Sequence, residues 1–213
     1  MTLGPVNPTV VERLASVFRL PYGWAAFVFA ALIGPPAQFV VSYLDTLDLN
    51  RAFGLTFNLA YTSTSVQVGR ISTSQGLTNQ TIWFATIFSF IYLTRFMRAR
   101  LSNLEQELLG LAPSGEETFH KAFGGISRSV PVLLISIPFF ISQMVPIFQL
   151  FGAGYGYFFS GFQVVATVFF AVIFSNFFWV YFRSLWGLDR FGKEHLKLKT
   201  YDQDAMLGLG SLG

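Results

Sequence analysis

The chain contains no cysteine, so disulfides, thiol catalysis and thiolate metal sites are excluded. Charge is scarce as well: Asp, Glu, Lys and Arg make up 12 % of the 213 residues, and only two residues are His. It is also unevenly spread. Residues 129 to 182 form a 54-residue stretch without a single Asp, Glu, Lys, Arg or His, and 20–44 and 71–94 are shorter windows of the same kind. Ion-coupled pumps, proton relays and voltage sensors rely on ionisable groups inside their membrane spans. This chain supplies none there by itself, although another subunit would be able to. No nucleophile elbow, phosphate loop or paired-carboxylate arrangement is present. The Gly-rich turn 151–156 lacks the strand and helix context of a nucleotide loop. His120 and His195 are far apart and have no ligand spacing around them. The residues therefore read as non-enzymatic, with no metal and no cofactor.

What remains is apolar. Hydrophobic residues make up 53 % of the chain and the mean hydropathy is +0.52, which places it in a membrane class. A helix needs about 20 apolar residues to cross a hydrocarbon core of about 30 Å. The three windows hold four such spans, at about 24–44, 81–97, 130–151 and 158–182. The expected fold is all-α: one transmembrane domain over 1–213, a four-helix integral membrane bundle with proline-kinked first and third spans and short amphipathic cytoplasmic helices. An outer loop covers 45–80, a cytoplasmic loop 98–129 and a cytoplasmic tail 183–213. With both termini inside, 12 of the 14 Lys and Arg residues are cytoplasmic, and only Arg51 and Arg70 lie outside. The positive-inside rule thus sets N-in, C-in, and a multi-pass protein of the cell membrane is expected. Trp24, Trp83, Trp179, Trp186, Tyr43 and Tyr92 stand near span ends, as an aromatic belt requires. The basic residues cluster beside the spans and form no separate domain, so nucleic acid is not an expected partner.

The segments between spans have their own signals. Met1 to Pro21 has no early basic region and its apolar run begins only after Pro21, unlike a signal peptide. Thr9-Val-Val-Glu12 fits a capping box. Val10, Val11, Leu14, Val17 and Phe18 follow at helical spacing, either as an amphipathic helix on the membrane surface or as a first turn leading into the span. The Ser- and Thr-rich 59–74 predicts a small hairpin or an irregular cap. Asn79-Gln80-Thr81 matches the short and common glycosylation pattern. On the inner side, Met97, Leu101, Leu104, Leu108 and Leu111 form a heptad seam that Pro113 closes. It predicts a continuation of the second span, serving either as a dimerising stalk or as a surface for a short helix carrying Phe119, Phe123 and Ile126, which Ser114-Gly-Glu-Glu117 would cap. Residues 183–193 read as a juxtamembrane segment whose cations meet anionic headgroups. The apolar ending 206–213 suggests a partner or a continuation.

Two groups of residues point to a site. Gly34, Pro35 and Pro36 interrupt the first span, and Pro138 and Pro146 the third. Each helix-interior proline removes a donor and frees a carbonyl one turn earlier, which makes these positions candidate hinges or ordinary kinks. Gln38, Ser42, Thr81, Gln143, Gln163 and Thr167 are polar positions within the spans. The three glutamines share one side of the midplane. They are either a pocket for a neutral or weakly polar small molecule beneath the outer loop, or interhelical hydrogen-bond glue worth about 0.6 kcal/mol each. Below Gln163, Thr167, Ala171 and Ser175 form a row of small residues suited to close helix contact. Two function classes follow. One is a sensor-input, anchoring or assembly module with an outward-facing polar pocket; the other is a subunit of a channel or carrier for a neutral or weakly polar solute. The partners expected are the lipid bilayer, further copies of the chain or other membrane subunits, and a small-molecule ligand of unassigned identity.

Overall fold

The computed structural model describes residues 8–57, 59–61, 66–68, 72–111, 115–152 and 156–193. The fold is helical. α1 (Val10–Ser16) leads to α2 (Tyr22–Ile33), α3 (Pro35–Thr46) and α4 (Leu49–Phe57). A two-stranded antiparallel hairpin follows, β1 (Leu59–Tyr61) paired with β2 (Val66–Val68) in the register Ala60 opposite Gln67. The long α5 (Thr73–Leu111), the short α6 (Gly115–Phe123), α7 (Ser129–Gly152) and α8 (Tyr157–Gly192) complete the chain.

Local chemistry explains the boundaries. The Thr9 hydroxyl accepts from the Glu12 amide, and the Glu12 carboxylate accepts from the Thr9 amide at 2.9 Å, so the capping box starts α1. The first span is broken where a kink is expected. Gly34 is extended (φ −106°, ψ −160°), ending α2 and preceding α3, whose first two residues are Pro35 and Pro36. A proline in the first helical turn loses no hydrogen bond, because that amide has no helical partner. The pair therefore begins a new helix instead of bending an old one. A β-carbon on Gly34 would strike the Ala30 carbonyl oxygen, so only glycine fits this break. Pro138 and Pro146 lie inside α7, which stays one helix; the Pro146 side chain lies outside the described residues. Leu47, in the left-handed region at φ 51°, terminates α3. The Asp48 carboxylate then accepts from the Asn50 amide at 2.8 Å and from the Arg51 amide at 3.2 Å. That cap starts α4, a helix inside a segment expected to be loop.

Two apolar cores hold the helices together. The larger joins α1, α2, α5 and α8 through Val11, Ala26, Phe29, Ile33, Ile87, Ile91, Phe170 and Ile173. Aromatic rings extend it: Phe90 and Phe139 both meet Phe170 and Phe174. The smaller core lies at the other end, where Leu101, Phe119, Phe123 and Ile126 pack with Val180 and Phe191. So the Met97–Leu101 part of the heptad seam is covered by α6 of the same chain. The side chains of Leu104, Leu108 and Leu111 lie outside the described residues, as do Ser114 and 194–213. α8 continues ten residues past Phe182 as regular helix, so the juxtamembrane segment 183–192 is helical. α1 is not a free surface helix. Val11 and Ala15 are buried, and buried Glu12 pairs with Arg98 of α5 at 3.0 Å.

The stretches Tyr22–Thr46 and Tyr157–Gly192 are long and apolar enough to cross a membrane. Within their most apolar parts only 44 % and 39 % is buried inside the protein. Trp24, Leu32, Val40, Ile82, Leu134, Ile141, Val165 and Phe182 are all exposed. Apolar surface on this scale marks contact with lipid or with other protein, and it suggests membrane association. At about 1.5 Å per residue α5 and α8 each exceed a 30 Å hydrocarbon core.

Candidate functional site

Helices α3 and α8 pack together, and each carries a stripe with buried polar residues. On α3, Pro35, Gln38 and Ser42 are buried and recur at i, i+3, i+7, which is one stripe of a helix. Ser160, Gln163 and Thr167 recur the same way on α8. Ser160 is fully buried, and Gln163 and Thr167 are half-buried.

Asp45 sets the register between the stripes. Its carboxylate accepts from the Phe158 amide at 3.2 Å and from the Phe159 amide. It thus caps the start of α8 from 113 residues away in sequence, with a negative charge at the positive end of the helix dipole. Gly156 leaves room for it, since a β-carbon there would strike the carboxylate. α3 ends where α8 begins and packs against it, so the two run in opposite directions. At about 1.5 Å per residue, Ser160, Ser42, Gln163, Gln38 and Thr167 then follow one another in that order below the cap. Asp45→Ala should cost about 2 kcal/mol, the upper range for a lost helix cap. Gly156→Ala should produce much of the same loss by displacing the carboxylate. Thermal unfolding in detergent of the two single variants and the double checks this, and the double should fall well short of the sum.

Within the seam the hydrogen-bond account does not close. Ser42 Oγ donates to the Gln38 carbonyl at 2.8 Å. By contrast, Gln38 Nε2, Gln163 Nε2 and Ser160 Oγ are buried without a hydrogen-bond partner. An unmade bond at a buried donor costs about 1–3 kcal/mol, and such groups in native proteins call for water, an ion or a ligand. Gln38 is only 6 % exposed, so its amide nitrogen points into the protein.

The other expected positions lie elsewhere. Gln143 is exposed on α7, and among the described residues its Nε2 donates to its neighbour Ser142 at 3.4 Å. Equal depth does not set the direction in which a side chain points: Gln143 is exposed, whereas Gln38 is buried and Gln163 half-buried. Thr81 is exposed on α5, its hydroxyl donating to the Leu77 carbonyl at 2.8 Å. Asn79 is exposed on the same helix, and Gln80 donates to the Thr56 carbonyl at 2.7 Å, tying α5 to α4. Pro138 is exposed on α7. Asp45 and Ser160 are the residues that sequence reading missed. Asp45 was visible only as the first charge after a span, and Ser160 only as one of many serines.

No protein-family model matches the chain, and no curated protein or solved structure matches it.

Proposed function

We propose that the chain is a non-enzymatic four-helix membrane module, N-in and C-in, in which the α3–α8 seam is an outward-facing polar pocket. The broken α2–α3 pair, α5, α7 and α8 are its four spans, and α4 with the hairpin is its outer cover. The observation that carries this reading is the pair of buried, unpartnered amide donors on Gln38 and Gln163. They lie within a few turns of an outer end closed by Asp45. Amide and hydroxyl groups without nearby charge suit a neutral or weakly polar ligand, which would satisfy donors that the protein leaves open. The charge pattern supports the orientation. Arg95, Arg98, Arg100, Lys121, Arg128, Arg183 and Arg190 gather toward the α6 end, while Arg51 lies on the α4 side. Such a module would take an outside signal or partner at the seam and present α6 and the end of α8 inside.

The break at Gly34 favours a second reading, a channel or carrier subunit, because transporter sites often use discontinuous helices. One preparation tests both. The chain has no cysteine, so single cysteines at exposed Ser72 and Lys121 report sidedness directly. In sealed vesicles of known orientation, a membrane-impermeant maleimide should label position 72 from outside, and position 121 only after permeabilisation. The reverse pattern would overturn the orientation, and equal labelling of both before permeabilisation would overturn the crossing. The same vesicles should stay tight to small neutral solutes. A leak specific to one solute would replace the module with the carrier.

A further inference from the structure

The α6 end of α8 carries a second polar arrangement, of opposite character to the seam. Arg183 is held between two surfaces. Its guanidinium carbon lies 4.5 Å from the centre of the Trp186 ring. On another side it lies against Gly125, where a β-carbon would stand 2.9 Å from Nε and 3.2 Å from one terminal nitrogen. Gly125 is itself fixed. Its carbonyl accepts from Trp179 Nε1 at 3.1 Å and from the Arg128 amide at 3.3 Å. Arg128 closes that turn through its amide, and Arg190 follows Arg183 two helical turns along α8. Among the described residues these two, both of like sign, are the charges that act on Arg183. Among the described residues Arg183 makes no ion pair, and its buried Nε has no hydrogen-bond partner. Ser127 Oγ, in the same turn, is also buried without one.

Like charges on Arg183, Arg128 and Arg190 repel one another, and a guanidinium fixed by a ring and a backbone is ready for two parallel hydrogen bonds. We propose that Arg183, with Arg128, Arg190 and the Ser127 hydroxyl, binds a phosphate group. The oxygens of a phosphate supply the acceptor that Nε lacks and neutralise the like charges around it. Trp179 and Trp186 mark the depth at which a membrane's headgroups lie. The same chemistry therefore has two sources: the headgroup of an anionic lipid, or a free phosphate. The lipid source rests on the reading that α8 crosses the membrane; the phosphate chemistry does not.

Native mass spectrometry tests it on the full chain in neutral detergent with added phosphatidic acid. The wild type should retain one phosphatidic acid molecule, and Arg183→Gln should lose retention about tenfold. Arg183→Lys keeps the charge but not the fork and should fall between them. Arg100→Gln removes an exposed cation from α5 and should bind like the wild type. Retention that drops equally in Arg100→Gln and Arg183→Gln means general charge attraction and overturns the site. Equal retention in Arg183→Gln and the wild type, both with unchanged thermal unfolding, overturns it too. Should Arg183→Gln fail to fold, the Arg183→Lys and Arg100→Gln comparison decides by the same criteria. Millimolar inorganic phosphate separates the sources. Bound lipid that resists it assigns a headgroup site; displacement, with quenching of tryptophan fluorescence by phosphate alone, assigns a free phosphate. Wrong sidedness in maleimide labelling would refute the module's orientation and leave these detergent results standing.

Discussion

Arg98→Met is expected to destabilise the protein by about 3–5 kcal/mol, the cost of leaving one partner of a buried ion pair without the other. Glu12 is 7 % exposed and its carboxylate meets Arg98 Nε at 3.0 Å. The same oxygen accepts from the Thr9 amide and from the Thr9 hydroxyl, so the charge cannot swing out to water without undoing the capping box. The loss should be local as well as global. Val11 would leave the core that it shares with Ile91, and trypsin should then cut at Arg13 and Arg19 well before the rest of the chain. A second substitution identifies the cause. In Glu12→Gln/Arg98→Met no buried charge remains, while the Gln side-chain oxygen still accepts from Thr9. Most of the lost stability should return, as measured by unfolding of the two single variants and the double. A double variant no more stable than Arg98→Met would mean that packing of the long Arg98 side chain, and not its charge, holds α1.

Where a signal is local, the sequence carries the fold openly. Thr9 and Glu12 mark the start of α1 three residues apart, and the uncharged run from 129 to 182 holds the apolar length of α7 and most of α8. Met97 and Leu101 announce that α5 continues with an apolar face, and Phe119 and Phe123 announce the helix that covers it. The misreadings have local causes too. Pro35 and Pro36 read as a kink because composition does not reveal that Gly34 is extended, which turns the prolines into the first residues of a new helix. The charge at Arg183 marks the end of the apolar stretch and not the end of the helix. In the fold, Gly187 and Phe191 beyond it are buried against α6, and that packing sustains the helix. α4 lay behind a cap signal at Asp48 followed by apolar residues at 49, 52, 53 and 57, within a segment whose polar second half suggested loop.

The site was legible in depth but not in direction. Counting residues along a span gives height, and by height Gln38, Gln143 and Gln163 are alike. Which side of the helix faces protein depends on partners far away in sequence. Gln38 is buried on α3 and Gln163 half-buried on α8, two helices that pack together, while Gln143 is exposed on α7. Asp45 shows the same limit. Its partners Phe158 and Phe159 are backbone amides more than a hundred residues away, and a backbone amide carries no sequence signal. The arginines combine both cases: Arg183 and Arg190 share a face by spacing, whereas Gly125, in the turn after α6, reaches Arg183 only through packing on α8.

Gln38→Leu and Gln163→Leu should each raise stability, by about 1–3 kcal/mol, because an apolar group of similar size removes a buried donor that has no partner. That sign is unusual for a buried position, where most substitutions destabilise by about 0.5–3 kcal/mol. It separates the seam from ordinary polar glue, whose loss would cost about 0.6 kcal/mol per residue. Gln143→Leu, on an exposed face, should leave stability nearly unchanged. Ser42→Ala should also be mild, since its hydroxyl bonds a carbonyl of its own helix. Unfolding of the four variants in one detergent, without added ligand, gives the comparison directly. A decrease of stability in both Gln38→Leu and Gln163→Leu would mean that the amides already hold the helices together, and the pocket reading would fall. An increase carries a functional consequence. Natural proteins keep costly groups where activity needs them, so the variants stabilised by leucine should be those that lose the response to a polar ligand. A small solute that raises the unfolding temperature of the wild type, but not that of Gln38→Leu or Gln163→Leu, would identify the chemical class that the seam accepts.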